Sequence, residues 1–139
     1  MQAETTIIAR YAETDQMGVI HHSVYPIWFE AARTEFIKLA GMTYTELEQQ
    51  GVMMPVAELT CRYYRPVHYE DKVTIVTETE RLSYAKMSFH YRVMLEGQLM
   101  AEGTTTHGFV SCETFRPVNL KKRMPAFYAV LQASLTAEV

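Results

Sequence analysis

Apolar residues along the chain follow two different periods. From residue 24 to residue 40 they recur at helical spacing and cover a wide arc, which predicts a long helix buried against a large surface such as a sheet. Ser23 is the predicted N-cap of this helix, Pro26 fits its first turn, and Gly41 ends it. On its polar side, Glu30 and Arg33 stand three residues apart and predict a solvated or interfacial ion pair.

Further along the chain the period becomes two, which predicts strands. A first strand is predicted over residues 4–11, ahead of the long helix, and a short helix over 44–50 is predicted to follow it, capped by Thr43. The remaining predicted elements are strands over 57–64, 73–82, 87–96 and 99–112 and a helix over 125–135. Gly103 is expected to mark a β-bulge. Helices gathered on one face of an antiparallel sheet predict an α+β fold, and we expect residues 1–139 to form a single domain.

Composition narrows the classes of function. The net charge of -3 argues against a nucleic-acid-binding protein that relies on bulk charge. No apolar run is long enough to span a membrane, and residues 1–5 lack the features of a signal peptide. The two cysteines, Cys61 and Cys112, are therefore expected to be reduced thiols in a cytoplasmic protein, with a disulfide the less favoured alternative.

Candidate chemistry is concentrated in the turn between the first strand and the long helix. Asp15 is predicted to lie close to the helix N-terminus, where free amides and the helix dipole polarise a carbonyl, an arrangement that suits acyl transfer. Gly18 lets the backbone of this turn come close to a neighbour. The alternative for Asp15 is a turn-former or cap, which is the commoner role of an acidic residue in a turn.

Several other catalytic classes lack the residues they need. The sequence has no Gly-x-Ser-x-Gly motif, no Cys-x-x-Cys pair, no His-Glu-x-x-His motif and no phosphate-binding glycine loop. This argues against an α/β-type serine hydrolase and against a zinc site, and we expect neither a metal nor a cofactor.

The pattern Asp15-x-x-Gly18…His22…Tyr25, followed by Trp28-Phe-Glu-Ala-Ala-Arg-Thr-Glu-Phe36, resembles the 4-hydroxybenzoyl-CoA thioesterase branch of the hotdog-fold acyl-CoA thioesterases. The resemblance implies a hotdog fold, in which a curved antiparallel sheet wraps one long central helix. It also implies hydrolysis of an acyl-CoA thioester to a free acid and coenzyme A. The implied assembly is a homodimer, usually paired into a homotetramer, with active sites at subunit interfaces.

The same resemblance implies roles for single residues. Asp15 is the expected nucleophile or general base, and the sequence does not choose between these roles. His22 is expected to bind or polarise the thioester, through its ring or its backbone amide, and Tyr11 to orient Asp15 by a hydrogen bond. Tyr25 and Trp28 are expected in the core or in the wall of the acyl pocket. Glu35 is the reserve catalytic carboxylate.

Coenzyme A also carries phosphates, which need basic partners. The segment from Arg116 to Arg123 holds four basic residues, and among these Arg116, Lys121 and Lys122 are the predicted contacts. The alternative contacts are Arg62, Arg65 and Lys86, and each of these side chains is otherwise expected to be a solvated surface group.

Two other functions remain open at this stage. The first is a non-catalytic acyl-CoA-binding module on the same fold, and the second is an acyl-CoA hydratase, although the motif expected of a hydratase is absent. The acyl group stays open between aromatic, short-chain and longer fatty acyl groups, as does the carrier, coenzyme A or acyl carrier protein.

Overall fold

A computed structural model describes residues 1–136 of the chain. The strands are β1 (Gln2–Ile8), β2 (Val52–Met53), β3 (Val56–Tyr63), β4 (Lys72–Leu82), β5 (Lys86–Leu95), β6 (Gln98–Gly108) and β7 (Val110–Ser111). The helices are α1 (Tyr25–Leu39), α2 (Tyr44–Gln49), α3 (Leu120–Arg123) and α4 (Pro125–Thr136). The predicted order of a strand, a long helix, a short helix and several antiparallel strands is confirmed, and with it the α+β class.

Five strands form one antiparallel sheet in the order β1-β4-β5-β6-β3, so β1 and β3 are its edges. The bulge predicted at Gly103 is wrong, because Gly103 pairs in regular register with Cys61 on one side and with Tyr91 on the other. The register of β5 with β6 instead shifts between Val93 and Met94. The glycine is needed for packing against α1 rather than for a bulge.

Helix α1 packs against the inner face of this sheet through aromatic rings. The Phe29 ring stacks on Tyr91 with a centroid separation of 4.4 Å, and Phe36 meets Phe89 edge to face at 5.4 Å. All four rings are fully buried. Removing each such side chain from water contributes about 1.5–3 kcal/mol to folding, so this seam fixes where α1 lies on the sheet.

The buried arc of α1 is narrower than the sequence pattern predicts. Ile27 and Leu39, two of the apolar residues in the segment 24–40, are 62% and 57% exposed. Their exposure has a geometric reason, since a helix lying on one face of a sheet buries only the side that meets the sheet. The Glu30–Arg33 ion pair is confirmed, at 3.8 Å.

The start of α1 also differs from the prediction. Ser23 is not its N-cap, because a 3-10 turn over His22–Val24 precedes the helix and the His21 side chain accepts the Ser23 N–H instead. Pro26 does lie in the first turn of α1, as predicted. At the other end, Gly41 has the expected positive φ of 93°.

The predicted cap of the short helix and the predicted C-terminal helix are both present. Thr43 caps α2 by accepting the backbone N–H of Glu46 at 3.0 Å. Helix α4 packs on β4, where the buried Ser134 hydroxyl donates to Thr79 at 3.0 Å. Within residues 1–136, no helix has the length and apolar character needed to cross a membrane.

Candidate active site

The loop between β1 and α1 is folded back on itself and held by backbone hydrogen bonds. The Asp15 N–H donates to the Val19 carbonyl at 2.8 Å, and Thr14 forms a bridge with Ile20. The Ile20 N–H in turn donates to the Val67 carbonyl at 2.8 Å, which ties the loop to the connection between β3 and β4. Asp15 is therefore placed by backbone contacts on both sides of its turn.

One oxygen of the Asp15 carboxylate shapes the turn. Oδ1 accepts the N–H of Met17 at 2.8 Å and that of Val19 at 3.4 Å, so the turn-forming role considered for Asp15 is real. Among residues 1–136, no group donates a hydrogen bond to the second oxygen, Oδ2. The side chain is half-buried. A carboxylate with one tethered and one unused oxygen has a fixed orientation and still keeps a free acceptor for chemistry.

Gly18 is needed for its backbone conformation. Its φ is +81°, and a Cβ built there meets no atom within 4 Å. The close approach expected at Gly18 is thus not made by any residue between 1 and 136, and the positive φ explains the glycine.

A cleft of about 330 Å³ opens beside Asp15. His22 and Tyr25 line it from the start of α1, and Tyr63, Tyr64 and Arg65 line it from the end of β3. Tyr63 and Tyr64 were not predicted as site residues, and Arg65 was predicted only as an alternative contact for the phosphates of coenzyme A. Two tyrosines followed by an arginine, directly after a strand of alternating polarity, are the signal that could have identified them.

Tyr63 ties the two sides of this cleft together. Its hydroxyl donates to the carbonyl of His22 at 2.9 Å, and its ring meets that of Tyr25 edge to face at 5.0 Å. Burial raises the pKa of Tyr25 to about 12, so its phenol stays protonated at neutral pH. Nothing in the described part of the chain accepts a hydrogen bond from the His22 N–H. That N–H is a free donor of a residue that lines the same cleft as Asp15.

Two predicted site residues lie elsewhere in the chain. Tyr11 is 76% exposed and packs edge to face on Tyr69, so the predicted hydrogen bond from Tyr11 to Asp15 is not formed. Trp28 is 2% exposed and does not line the cleft. Its indole Nε1 donates at 3.1 Å to the carboxylate of Glu13, a buried residue that the sequence analysis did not single out.

The basic segment is exposed, as its position after the last strand predicts, but none of its residues lines this cleft. Arg116, Lys121 and Lys122 are all exposed. Lys121 Nζ stands 5.5 Å from the centre of the Tyr84 ring, and Arg123 donates to the carbonyl of Gln50 at 3.3 Å. The basic side chain at the cleft is Arg65.

The acidic residues of α1 form ion pairs on the surface of the helix. Glu35, the reserve catalytic carboxylate, pairs with Lys38 at 3.3 Å and is half-exposed. Glu30 pairs with Arg33 beside a separate cavity of about 310 Å³, which Tyr44 also lines. Neither Glu30 nor Glu35 lines the cleft that contains Asp15.

A larger cavity, of about 560 Å³, lies on the face of the sheet opposite α1, next to Ser88 and Thr106. No residue from a helix N-terminus lines it, so the smaller cleft beside Asp15 is the candidate active site. Within residues 1–136, no three His, Cys, Asp or Glu side chains are arranged to hold a metal ion.

Comparison with known proteins identifies the family of this chain. The family model described as the thioesterase-like superfamily matches residues 9–135. YneP of Bacillus subtilis, which carries a provisional acyl-CoA thioesterase name, is 34% identical over 127 residues, covering 91% of this chain and 92% of its own.

Two solved structures are similar over nearly the whole chain. The DHNA-CoA thioesterase of Staphylococcus aureus superposes with a TM-score of 0.94 at 34% identity, covering 99% of this chain and 93% of its own. A hypothetical protein of Thermus thermophilus superposes with a TM-score of 0.87 at 40% identity, covering 96% and 98%. The chain therefore belongs to the thioesterase-like superfamily, a family of thioester hydrolases, and has the hotdog fold.

Proposed function

We propose that this protein hydrolyses an acyl-CoA thioester to a free acid and coenzyme A, with Asp15 as the catalytic carboxylate. The observation that carries the proposal is the unused Oδ2 of Asp15 in a cleft that also contains His22. The names of the relatives support coenzyme A as the carrier, because the similar proteins of Bacillus subtilis and Staphylococcus aureus are both named for CoA thioesters.

In the proposed reaction the thioester carbonyl lies between Asp15 and the start of α1. The free His22 N–H and the positive end of the helix stabilise the negative charge that develops on the carbonyl oxygen. No metal is required in this scheme, because backbone N–H groups do the polarising. The C–S bond breaks, and the thiolate leaves and takes up a proton.

Two roles for Asp15 fit this geometry. As a nucleophile, its free oxygen would attack the carbonyl and form an acyl-aspartyl anhydride that water then cleaves. As a general base, it would take a proton from a water molecule that attacks directly. Single-turnover hydrolysis in ¹⁸O-labelled water tests the nucleophilic route. Label in Asp15 with an unlabelled acid shows that an anhydride formed and that water attacked its aspartyl carbon, whereas the general-base route puts the label in the acid and none in Asp15.

The proposal includes self-association. Strand β3 is an edge strand, and nearly all of its residues are exposed, including Leu59 at 40% and Tyr63 at 49%. Exposed edges with apolar side chains invite pairing with another chain. We therefore propose a homodimer or homotetramer that covers β3. The proposed compartment is the cytoplasm, where the free thiols of Cys61 and Cys112 stay reduced.

The deciding experiment follows thiol release from a panel of aromatic, short-chain and longer acyl-CoA thioesters. With the best substrate, Asp15→Asn should lower kcat by about 100-fold or more, because an amide is neither a nucleophile nor a base here. Its side-chain oxygen can still accept from Met17 and Val19, so the turn should persist. Glu35→Gln is the matched control and should keep wild-type activity.

Retention of activity by a folded Asp15→Asn variant would overturn the role given to Asp15. A wild-type protein that binds acyl-CoA but releases no thiol from any thioester would favour the non-catalytic binding module instead. Addition of water to an unsaturated acyl-CoA, without thiol release, would favour the hydratase.

A further inference from the structure

Glu13 is an acidic residue with an unusual position for its charge, since it is only 8% exposed. Both carboxylate oxygens accept hydrogen bonds from N–H groups. Oε1 accepts the backbone N–H of Arg10 at 2.8 Å, and Oε2 accepts the indole N–H of Trp28 at 3.1 Å. The guanidinium of Arg10 lies 3.6 Å from Oε2 and partly neutralises the charge.

The backbone of Glu13 adds a third connection. Its carbonyl accepts the N–H of His21 at 2.9 Å. One residue therefore joins the beginning of the loop at Arg10, the end of the loop at His21, and helix α1 at Trp28. The segment held between these points carries Asp15, two residues after Glu13, and leads into His22.

We propose that Glu13 is a positioning residue for the hydrolysis proposed above, on which this inference rests. Glu13 does not line the cleft and does not touch the substrate. It acts through Arg10, His21 and Trp28, by fixing the loop that carries Asp15 against the helix whose N-terminal turn polarises the carbonyl. The reaction depends on the separation of those two elements, because a displacement of about 1 Å at a reacting group costs on the order of 100-fold in rate.

The role requires a carboxylate in particular. Two N–H donors approach Glu13 from two different segments, and a carboxylate offers an acceptor to each of them. Glutamine has the same shape but only one oxygen. In Glu13→Gln the amide NH₂ must face either the Arg10 N–H or the Trp28 N–H, which loses one hydrogen bond and sets a donor against a donor. A buried donor left without an acceptor destabilises the folded protein unless the loop moves to relieve it.

The first test compares Glu13→Gln with Ser134→Ala. Ser134 is buried and donates a hydrogen bond to Thr79. Thr79 lies toward the end of β4 that pairs with Gln2, whereas the loop begins at the other end of β1, where Ile8 pairs with Lys72. Both variants lose a buried hydrogen bond, but only Glu13→Gln should disturb the cleft. We expect Glu13→Gln to lower kcat about 10-fold or more with little change in KM. Ser134→Ala should lower Tm by a similar amount to Glu13→Gln but leave kcat and KM unchanged.

The second test removes the hydrogen bond between Trp28 and Glu13 by changing its donor on α1. Trp28→Phe removes the indole donor and leaves the charge of Glu13 in place, so it should also lower kcat. In the Trp28→Phe background, Glu13→Gln should cost less than it does alone, because the amide no longer faces an indole N–H. Trp28→Phe also serves if Glu13→Gln does not fold.

Wild-type kcat in a folded Glu13→Gln variant, or fully additive effects in the double variant, would overturn the positioning role and leave Glu13 as an anchor for stability only. This failure is distinct from failure of the proposed function. If the wild type is active and Asp15→Asn is inactive while Glu13→Gln behaves normally, only the inference about Glu13 is lost. If the wild type hydrolyses no thioester, the proposed function itself is lost.

Discussion

The ring of Phe29 in α1 lies so close to Gly103 in β6 that no side chain fits between them. A Cβ at Gly103 would fall 2.7 Å from Cε2 of Phe29 and 2.3 Å from the carbonyl oxygen of Thr60. The second neighbour is backbone and cannot rotate away. The close approach sets the depth at which α1 lies on the sheet, and so the position of Tyr25 in its first turn, which lines the cleft together with Asp15.

Gly103→Ala should therefore destabilise the fold by about 1–3 kcal/mol or more, the usual cost of overpacking a tight core. Gly108→Ala is the matched control in the same strand, because a Cβ there would meet its nearest atom, Cγ1 of Val110, at an ordinary 3.6 Å. Urea unfolding of the two variants measures the difference. Equal stability of the two would show that the sheet yields at Gly103 without cost.

His107 should make stability depend on acid. Burial lowers its pKa to about 4, and the fully buried ring donates through Nδ1 to the carbonyl of Met54 at 3.0 Å and accepts at Nε2 from the hydroxyl of Thr105 at 2.8 Å. The unfolded chain binds a proton at an ordinary pKa of about 6.5, whereas the folded protein binds it only near 4. The contribution of neutral His107 to the free energy of unfolding is therefore fully present above pH 6.5, and it is lost as the pH falls from 6.5 toward 4.

Between pH 7 and pH 5 this group should remove about 2 kcal/mol from the free energy of unfolding. Denaturant titrations at a series of pH values give the slope of the free energy of unfolding against pH. His107→Gln, although less stable, should flatten this slope between pH 7 and pH 5. A slope in His107→Gln equal to that of the wild type would assign the acid sensitivity to other groups.

The basic segment should affect substrate binding rather than the chemical step. Arg116, Lys121 and Lys122 are exposed, so contacts from them to the phosphates of coenzyme A would be screened by salt. Replacing all three by alanine, or raising the ionic strength, should increase KM for acyl-CoA with little change in kcat. A truncated thioester that lacks the nucleotide should be insensitive to both changes.

Arg65→Gln is the comparison variant, because Arg65 lies at the cleft itself. If Arg65→Gln shows the nucleotide-dependent rise in KM and the triple variant does not, the phosphates are held at the cleft and the assignment to the segment is wrong. Arg62 and Lys86 would then be the next two positions to replace.

Assembly should depend on β3. We expect light scattering at micromolar concentration to show a dimer or a tetramer, and Leu59→Lys to shift it toward the monomer, because a charge on an edge strand opposes pairing. Val130→Lys is the control, since Val130 on α4 is 42% exposed, close to the 40% of Leu59. A wild-type monomer under these conditions, or equal effects of the two lysines, would contradict the proposed interface.

The sequence by itself determined the elements and the family. The change from helical spacing to alternation separates α1 from the strands, and glycines such as Gly41 end helices through local backbone geometry that needs no distant partner. Asp15 was singled out because its spacing to Gly18 and His22 is a local pattern. For the same reason, the position of Pro26 in the first turn could be read directly from the chain.

The tertiary structure decided what depends on contacts between distant segments. The sequence predicts a bulge at Gly103, but the structure shows that a glycine is required there because the ring of Phe29, more than seventy residues earlier, packs against it. Glu13 reads as one acid among sixteen, and only the fold brings Trp28 to its carboxylate. Tyr63 reaches the carbonyl of His22 because β3 ends beside the start of α1. Periodicity records which face of an element is buried, but not which partner lies against it, and partners are fixed only when the sheet closes over the helix.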